Sequence, residues 1–136
     1  MSGKLIISFI IGAICVCSIS AQSNVVSYNS DQFDTQLANH QLAMVAFYAP
    51  WCHYSQDMLP QYDAASLRLA SIPQIKLIKI DCWTDLKDEA KCQSVGILGF
   101  PTMKIYKYGQ FYKEYTGARK ENNIVTEMYN VINGRA

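Results

Sequence analysis

The stretch of residues 47–62, FYAPWCHYSQDMLPQY, decides how this chain of 136 residues folds. It continues an apolar run that begins at Leu42, and a run of this length is typical of a buried strand. Pro50 ends the strand, and Cys52 then falls in the first turn of a helix that contains Pro60, where a kink is expected. Unpaired backbone N–H groups and the positive end of the helix dipole stabilise a thiolate at such a position. Cys52 is therefore predicted to be a nucleophile near neutral pH.

Length and charge limit the classes of function. Half of the residues are hydrophobic, which is enough for one domain with a real core. The formal net charge is +1, which gives no electrostatic basis for binding nucleic acid or an anionic lipid surface. We therefore expect no nucleic-acid partner and, once the N-terminal segment has been removed, no membrane partner.

The first 21 residues have the pattern of a secretory signal peptide. A lysine precedes an apolar stretch over residues 5–16, and small residues follow it. The alternative, a membrane anchor, is disfavoured because a span needs roughly 20 apolar residues. Cleavage after Ser20 and cleavage after Ala21 both fit the pattern. We expect a signal peptide over residues 1–21 and one folded domain over residues 22–136.

The end of the sequence and the cysteines bear on location. The last residues, Asn-Gly-Arg-Ala, are not a KDEL-type retrieval signal, so the expected location is the endoplasmic reticulum lumen or the exterior of the cell. Removal of the signal peptide would leave Cys52, Cys82 and Cys92. In an oxidising compartment, three cysteines leave at least one unpaired.

Strands and helices alternate along the remaining sequence. Hydrophobic periodicity predicts strands and helices; the strands are expected over residues 25–28, 42–49, 75–81, 103–108 and 111–115, and the helices over about 30–39, 52–70, 84–92 and 121–132. The strand over 75–81 mixes apolar and basic residues, so it is expected at or near an edge of buried surface. This order predicts an α/β fold, a mixed sheet with helices on both faces.

Polar residues and glycine predict where these elements begin and turn. Ser30 or Asp31 is expected to cap the first helix, and Thr84 the third. Gly109 and Gln110 are expected to form the two-residue turn of the final hairpin. Most of the aromatic residues on that hairpin are expected to pack across its strands.

Three segments resemble the protein disulfide isomerase family, whose domains have the thioredoxin fold. FYAPWC with the following Met-Leu-Pro resembles the active-site segment, and GFPTMKIY resembles a Gly-Tyr-Pro-Thr segment. The resemblance implies that Pro101 is a cis-proline facing the sulfur. YTGARKENNI is similar to a late Gly-x-Arg segment, which implies that Arg119 approaches the active site. The resemblance covers nearly the whole chain after the signal peptide and implies a thioredoxin fold.

The chain departs from this family at three positions. The family's Cys-Gly-His-Cys is replaced by Cys-His-Tyr-Ser, so that Ser55 stands where the resolving cysteine would be. Ala46 stands where the family commonly has a buried glutamate that assists proton transfer. The histidine is shifted to His53, which either stabilises the Cys52 thiolate or is simply an exposed residue at a helix start. Tyr54 occupies the family's histidine position.

The cysteines and Arg119 each allow more than one interpretation. Cys82 and Cys92 resemble a second pair in some relatives, which implies a structural disulfide; a second redox pair is the alternative, although neither belongs to a CxxC. The cysteines and two histidines lack zinc-ligand spacing, so no metal site is expected. Cys52 could be a buried inert cysteine, and Arg119 a solvated charge.

Two functions follow from the family resemblance. The first is an isomerase-like enzyme in which Cys52 alone forms mixed disulfides with secretory-pathway clients, in a groove with Trp51 and Pro101. It needs no cofactor, and glutathione is an expected exchange partner. Ser55 cannot release a client or store a disulfide, so direct oxidation or reduction is not expected. The second is a binding module, a chaperone or retention adaptor that holds unfolded or disulfide-containing clients.

Overall fold

A computed structural model describes residues 23–136, and the predicted signal peptide lies outside these residues. The elements, numbered in chain order, are β1 (Val26–Tyr28), α1 (Ser30–Gln36) continued by a 3-10 turn (Leu37–Asn39), β2 (Leu42–Tyr48), α2 (His53–Arg68), β3 (Ile75–Asp81), α3 (Leu86–Ser94), β4 (Thr102–Lys107), β5 (Gln110–Tyr115) and α4 (Glu121–Ile132). Within residues 23–136, no helix is both long enough and apolar enough to cross a membrane.

The five strands form one mixed sheet in the order β1-β3-β2-β4-β5. β1, β3 and β2 run parallel, and β4 and β5 are antiparallel to their neighbours. Hydrophobic side chains of α2 and α4 pack on one face, and those of α1 and α3 pack on the other. β2 is covered on both sides, which explains why its sequence is apolar throughout. This is the predicted α/β architecture.

Tyr62 joins α2 to the centre of the sheet. Its side chain is fully buried, and its Oη lies 2.8 Å from the carbonyl oxygens of both Met44 and Ile78. These carbonyls belong to β2 and β3, so one hydroxyl links the helix to two strands. Burial raises the pKa of Tyr62 well above its ordinary value, so the phenol stays protonated as a donor. This contact fixes the helix that begins directly after Cys52.

β3 is the second strand of the sheet. β1, which has only three residues, pairs with Ile78–Ile80 and leaves the first half of β3 without a partner on that side. Lys76 and Lys79 remain half-exposed among buried neighbours. Lys76 lies in the half of β3 that β1 leaves unpaired, whereas Lys79 lies opposite Ser27, so the short outer neighbour accounts for only the first of these basic positions.

Two helix caps lie one residue from their predicted positions. Asn29 caps α1 through a reciprocal capping box, and Asp85 caps α3 by accepting a backbone N–H bond. The predictions of Ser30 or Asp31, and of Thr84, were wrong. A cap residue needs an extended backbone so that its side chain can turn back to the first helical N–H groups. Asn29 and Asp85 have that backbone conformation.

The turn of the β4–β5 hairpin is also displaced by one residue. Lys107 pairs with Gln110, so the turn consists of Tyr108 and Gly109 instead of the predicted Gly109 and Gln110. Their φ angles are 48° and 80°. Two positive φ angles are characteristic of the tight hairpin turn that matches the twist of the strands.

Candidate active site

Cys52 lies between the end of β2 and the start of α2. It is the N-cap residue of α2, with an extended backbone, and its N–H donates to the carbonyl of Ala49 at 3.1 Å. Its Sγ is partly exposed and lies 3.5 Å from the carbonyl oxygen of Phe100, to which the thiol donates. Among the described residues Cys52 is the free cysteine. The sulfur is thus available for reaction.

Hydrogen-bond donors of the first helical turn stabilise the thiolate of Cys52. The backbone N–H of Ser55 contributes most to lowering the pKa of the thiol, against an opposing effect of desolvation. The backbone N–H of Tyr54, the hydroxyl of Ser55 and the charge of Arg119 lower the pKa further. A lower pKa increases the fraction of nucleophilic thiolate at neutral pH.

Ser55 and Ala46 fill the interior side of the site. Ser55 is fully buried, and its Oγ accepts a hydrogen bond from the backbone N–H of Ala49 at 3.4 Å. Ala46 is also fully buried, on β2, in register with Lys79 and Met103. A hydroxyl and a methyl group therefore occupy these two positions.

Two distant segments meet beside the sulfur. The Phe100–Pro101 peptide bond is cis, and it precedes β4. The Nη2 atom of Arg119 donates to the carbonyl oxygen of Pro101 at 3.3 Å. The structure thus brings Cys52, Pro101 and Arg119 together, although 67 residues of sequence separate the first from the last.

An open groove of about 570 Å³ runs beside these residues. Its walls come from the first turns of α2, the start of β4 and the loop that follows β5; they include Tyr54, Met58, Pro101, Thr102, Gly117 and Arg119. Cys52 and Trp51 are not among the residues that line it, so the groove expected around the sulfur lies on the Pro101 and Arg119 side of the site.

Residues 24–130 match the thioredoxin family. The chain belongs to this family. The predicted thioredoxin fold is confirmed by this match and by the mixed sheet with its covering helices.

Individual members of the thioredoxin family resemble the chain over most of its length. It is 36% identical over 124 residues to a protein disulfide-isomerase of Aspergillus oryzae, covering 88% of this chain and 23% of that protein. It is 31% identical over 121 residues to a probable protein disulfide-isomerase ER-60 of Schistosoma mansoni, covering 88% and 24%. The chain thus spans about a quarter of the length of these curated relatives.

Solved structures with the thioredoxin fold also superpose on most of the chain. The zinc-bound form of human ERp44 superposes with a TM-score of 0.71 at 27% identity, covering 78% of this chain and 30% of that chain. The Trx4 domain of ERdj5 superposes with a TM-score of 0.70 at 21% identity, covering 83% and 99%. The second likeness concerns the fold alone.

The imidazole of His53 lies against Asp57 on the exposed surface of α2. Its Nε2 lies 3.1 Å from the Oδ2 of Asp57, one helical turn further along α2, and both side chains are largely exposed. The side-chain charge that lowers the pKa of Cys52 is that of Arg119. Of the two interpretations offered for His53, the geometry favours the exposed residue at a helix start.

Cys82 and Cys92 form a disulfide in the described structure. Both residues are buried, and the bond ties the end of β3 to α3 across a sequence separation of 10. Lying in the core cluster on the α1 and α3 face, it is placed as a structural bond would be.

One residue beside the site was missed by the sequence reasoning. Trp83 packs edge-to-face on Trp51, with ring centroids 5.5 Å apart, and Trp51 packs in the same way on Phe100 at 6.0 Å. Trp83 lies outside the three motifs that carry the resemblance. Its only sequence signal is a large apolar residue immediately after Cys82, in an otherwise polar loop.

Proposed function

We propose that this chain carries out thiol–disulfide exchange on folding clients of the secretory pathway, with Cys52 as its single nucleophile. The observation that carries the proposal is the placement of the Cys52 thiol at the start of α2, next to the cis Phe100–Pro101 bond. The lowered pKa of Cys52 increases the fraction of thiolate at neutral pH. Similarity to protein disulfide-isomerases supports the reaction class.

The proposed reaction begins with attack by the Cys52 thiolate on one sulfur of a client disulfide. A bond forms between the Sγ and that sulfur, the client S–S bond breaks, and the other client sulfur leaves as a thiolate and takes a proton. A second client thiolate then attacks the bonded client sulfur. This step forms a new client disulfide, releases the Cys52 thiolate, and causes no net oxidation.

Glutathione is the proposed external exchange partner. Its thiolate can attack the client sulfur of the mixed disulfide, which leaves the client bonded to glutathione and frees Cys52. Ser55 cannot take this role, because a buried hydroxyl is a poor nucleophile and cannot form a disulfide. Oxidation or reduction through an internal active-site disulfide is therefore not expected.

The surrounding residues have supporting roles in this proposal. Trp51 and Pro101 would bound the client segment on two sides of the sulfur, and the charge of Arg119 would favour the thiolate. The disulfide between Cys82 and Cys92 would stabilise the domain without taking part in exchange.

The proposed location is the endoplasmic reticulum lumen or the secreted fraction. The signal-peptide pattern of residues 1–21 and the disulfide between Cys82 and Cys92 support it, because disulfides persist in oxidising compartments.

A second candidate function is a binding module that retains clients without turnover. It is favoured by Ser55 and Ala46, because a hydroxyl and a methyl group replace both the resolving thiol and the acid that would assist it. In this alternative the client stays bound non-covalently or as a long-lived mixed disulfide.

Refolding of a scrambled-disulfide substrate in glutathione buffer tests the proposal. The purified protein should speed refolding, and the Cys52→Ala variant should not. Equal turnover by both proteins would overturn the proposed role of Cys52. No turnover by either protein, together with client that remains bound, would favour the binding module.

A further inference from the structure

Two exposed tryptophan rings and one partly buried phenylalanine ring form a continuous aromatic surface beside the sulfur. We define the aromatic surface as Trp51, Trp83 and Phe100, which are joined by two edge-to-face contacts. Trp51 is 57% exposed and Trp83 is 58% exposed. Large exposed aromatic groups that lie together mark contact surfaces, and tryptophan is enriched among the residues that dominate binding.

The backbone holds Trp83 in this exposed position. The preceding residue, Cys82, is buried, bonded to Cys92, and donates its N–H to the carbonyl of Tyr48 at 2.9 Å. The N–H of Trp83 itself donates to the Oδ1 of Asp81 at 2.8 Å. These contacts fix the backbone that carries Trp83, and the edge-to-face contact with Trp51 holds the ring itself.

The aromatic surface adjoins the reacting atom. Trp51 directly precedes Cys52, and the carbonyl oxygen of Phe100 is the group that accepts a hydrogen bond from the Sγ at 3.5 Å. The groove beside Cys52 also contains charged side chains, among them Arg119 and Glu114. A client segment crossing the sulfur would thus meet rings on one side and charges on the other.

The distribution of charge also differs between the two sides of the sulfur. The three rings carry no formal charge, and the carboxylate of Asp81 lies at the base of Trp83. An apolar side chain loses little on entering such a surface and gains contact area with the rings. A polar side chain would gain less there, because contact with the rings removes part of its hydration.

We infer that the aromatic surface binds a large apolar side chain next to the reacting cysteine of the client, and that Trp83 determines this preference. The inference rests on the proposed exchange reaction and names its substrate class. Folded proteins bury large apolar side chains, so such a cysteine is accessible chiefly in unfolded chains. The aromatic surface would therefore direct Cys52 to unfolded clients.

Two matched peptide disulfides test the inference. Each is a symmetrical disulfide of a pentapeptide, Gly-Leu-Cys-Leu-Gly or Gly-Asn-Cys-Asn-Gly, whose flanking side chains have nearly the same shape. The rate of mixed-disulfide formation with Cys52 is followed by acid quenching and mass spectrometry. Each rate is divided by the rate of the same peptide with free glutathione, which removes differences in intrinsic reactivity.

We expect the protein to prefer the leucine peptide by about tenfold, the effect of burying most of one large apolar side chain. Trp83→Ala should reduce the preference to about twofold or less, and Trp83→Phe should retain an intermediate preference. Phe111→Ala is the matched control, because Phe111 is also 58% exposed but lies on β5 and contacts Tyr106. The Phe111→Ala variant should prefer the leucine peptide by the same factor as the unmodified protein.

A non-covalent measurement separates failure of the inference from failure of the proposed function. The same peptides with S-methylated cysteine are titrated into Cys52→Ala, and binding is read from tryptophan fluorescence. Tighter binding of the leucine peptide, lost in Cys52→Ala/Trp83→Ala, supports the aromatic surface even if Cys52 proves unreactive. Equal binding and equal reaction rates for both peptides would overturn the inference while leaving thiol exchange intact.

Discussion

The hydroxyl of Ser55 accepts a hydrogen bond from the backbone N–H of Ala49, at a distance of 3.4 Å, on the buried side of the first turn of α2. This bond uses one lone pair of the Oγ and leaves its hydrogen free to be donated. The Ser55 hydroxyl also lowers the pKa of Cys52, as a donor to the thiolate does. Ser55 thus supports the nucleophile from the position where a second thiol would stand.

Replacement of Ser55 with alanine should raise the pKa of Cys52. The hydroxyl donor is lost while the backbone N–H donors remain, so the pKa should stay below that of a free cysteine. A higher pKa means less thiolate at neutral pH, so alkylation by iodoacetamide should slow there and recover in alkaline buffer. The midpoint of the rate against pH gives the pKa. An unchanged midpoint would show that the hydroxyl does not donate to the sulfur.

Replacement of Ser55 with cysteine should create an internal disulfide with Cys52. Positions 52 and 55 are three residues apart at the start of α2, and Ser55 lowers the pKa of Cys52, so a thiol at position 55 is expected within reach of the sulfur. After mild oxidation, thiol titration should find two fewer free thiols than in the reduced variant, and the protein should gain dithiol reductase activity. Ser55→Ala is the control. Two titratable thiols after oxidation would contradict the expected approach of the side chains.

Replacement of Arg119 with alanine should also raise the pKa of Cys52, but by less than Ser55→Ala does. The Ser55 side chain contributes more than Arg119 to lowering the pKa of Cys52, and Arg119 acts through its charge. Because charges at an exposed site are screened by salt, over a Debye length of about 10 Å at 0.1 M, the difference between the two proteins should shrink as salt is added. Lys120→Ala, one residue away, should leave the alkylation profile unchanged. A shift of equal size in both variants would point to a general effect of net charge.

Removal of the disulfide by Cys82→Ala/Cys92→Ala should lower the free energy of unfolding by about 3 kcal/mol, from loop-closure entropy. Urea unfolding measured without reductant should show an earlier midpoint with a similar slope. Cys52→Ala should leave the midpoint unchanged, since Cys52 takes no part in the core. A midpoint equal to that of the unmodified protein would mean that the packing around β3 and α3 holds this region without the bond.

Sequence reasoning was most successful where a periodic apolar pattern meets a large hydrophobic core. α4 has the predicted bounds because its buried residues repeat at helical spacing. The caps of α1 and α3 and the β4–β5 turn were each displaced by one residue. Several neighbouring polar residues can cap a helix, and backbone geometry decides among them.

The site was predictable to the extent that its residues lie in recognisable segments. Cys52, Pro101 and Arg119 belong to such segments, and the structure brings them together. The contact of His53 with Asp57 follows helical i,i+4 spacing and was open to prediction. The contact of Trp83 with Trp51 was not, because it depends on how the loop after β3 packs beside the loop after β2.

Because a hydroxyl is buried at position 55, the rate at which a captured client is released would depend on thiols outside the active site. An enzyme with two active-site thiols releases its client at a rate fixed by its own geometry. In the exchange proposed for Cys52, release waits for a thiol from the client or from solution. For a client without a second free thiol, the lifetime of the captured state should therefore be inversely proportional to the external thiol concentration. A captured client would stay bound longest where reducing equivalents are scarce.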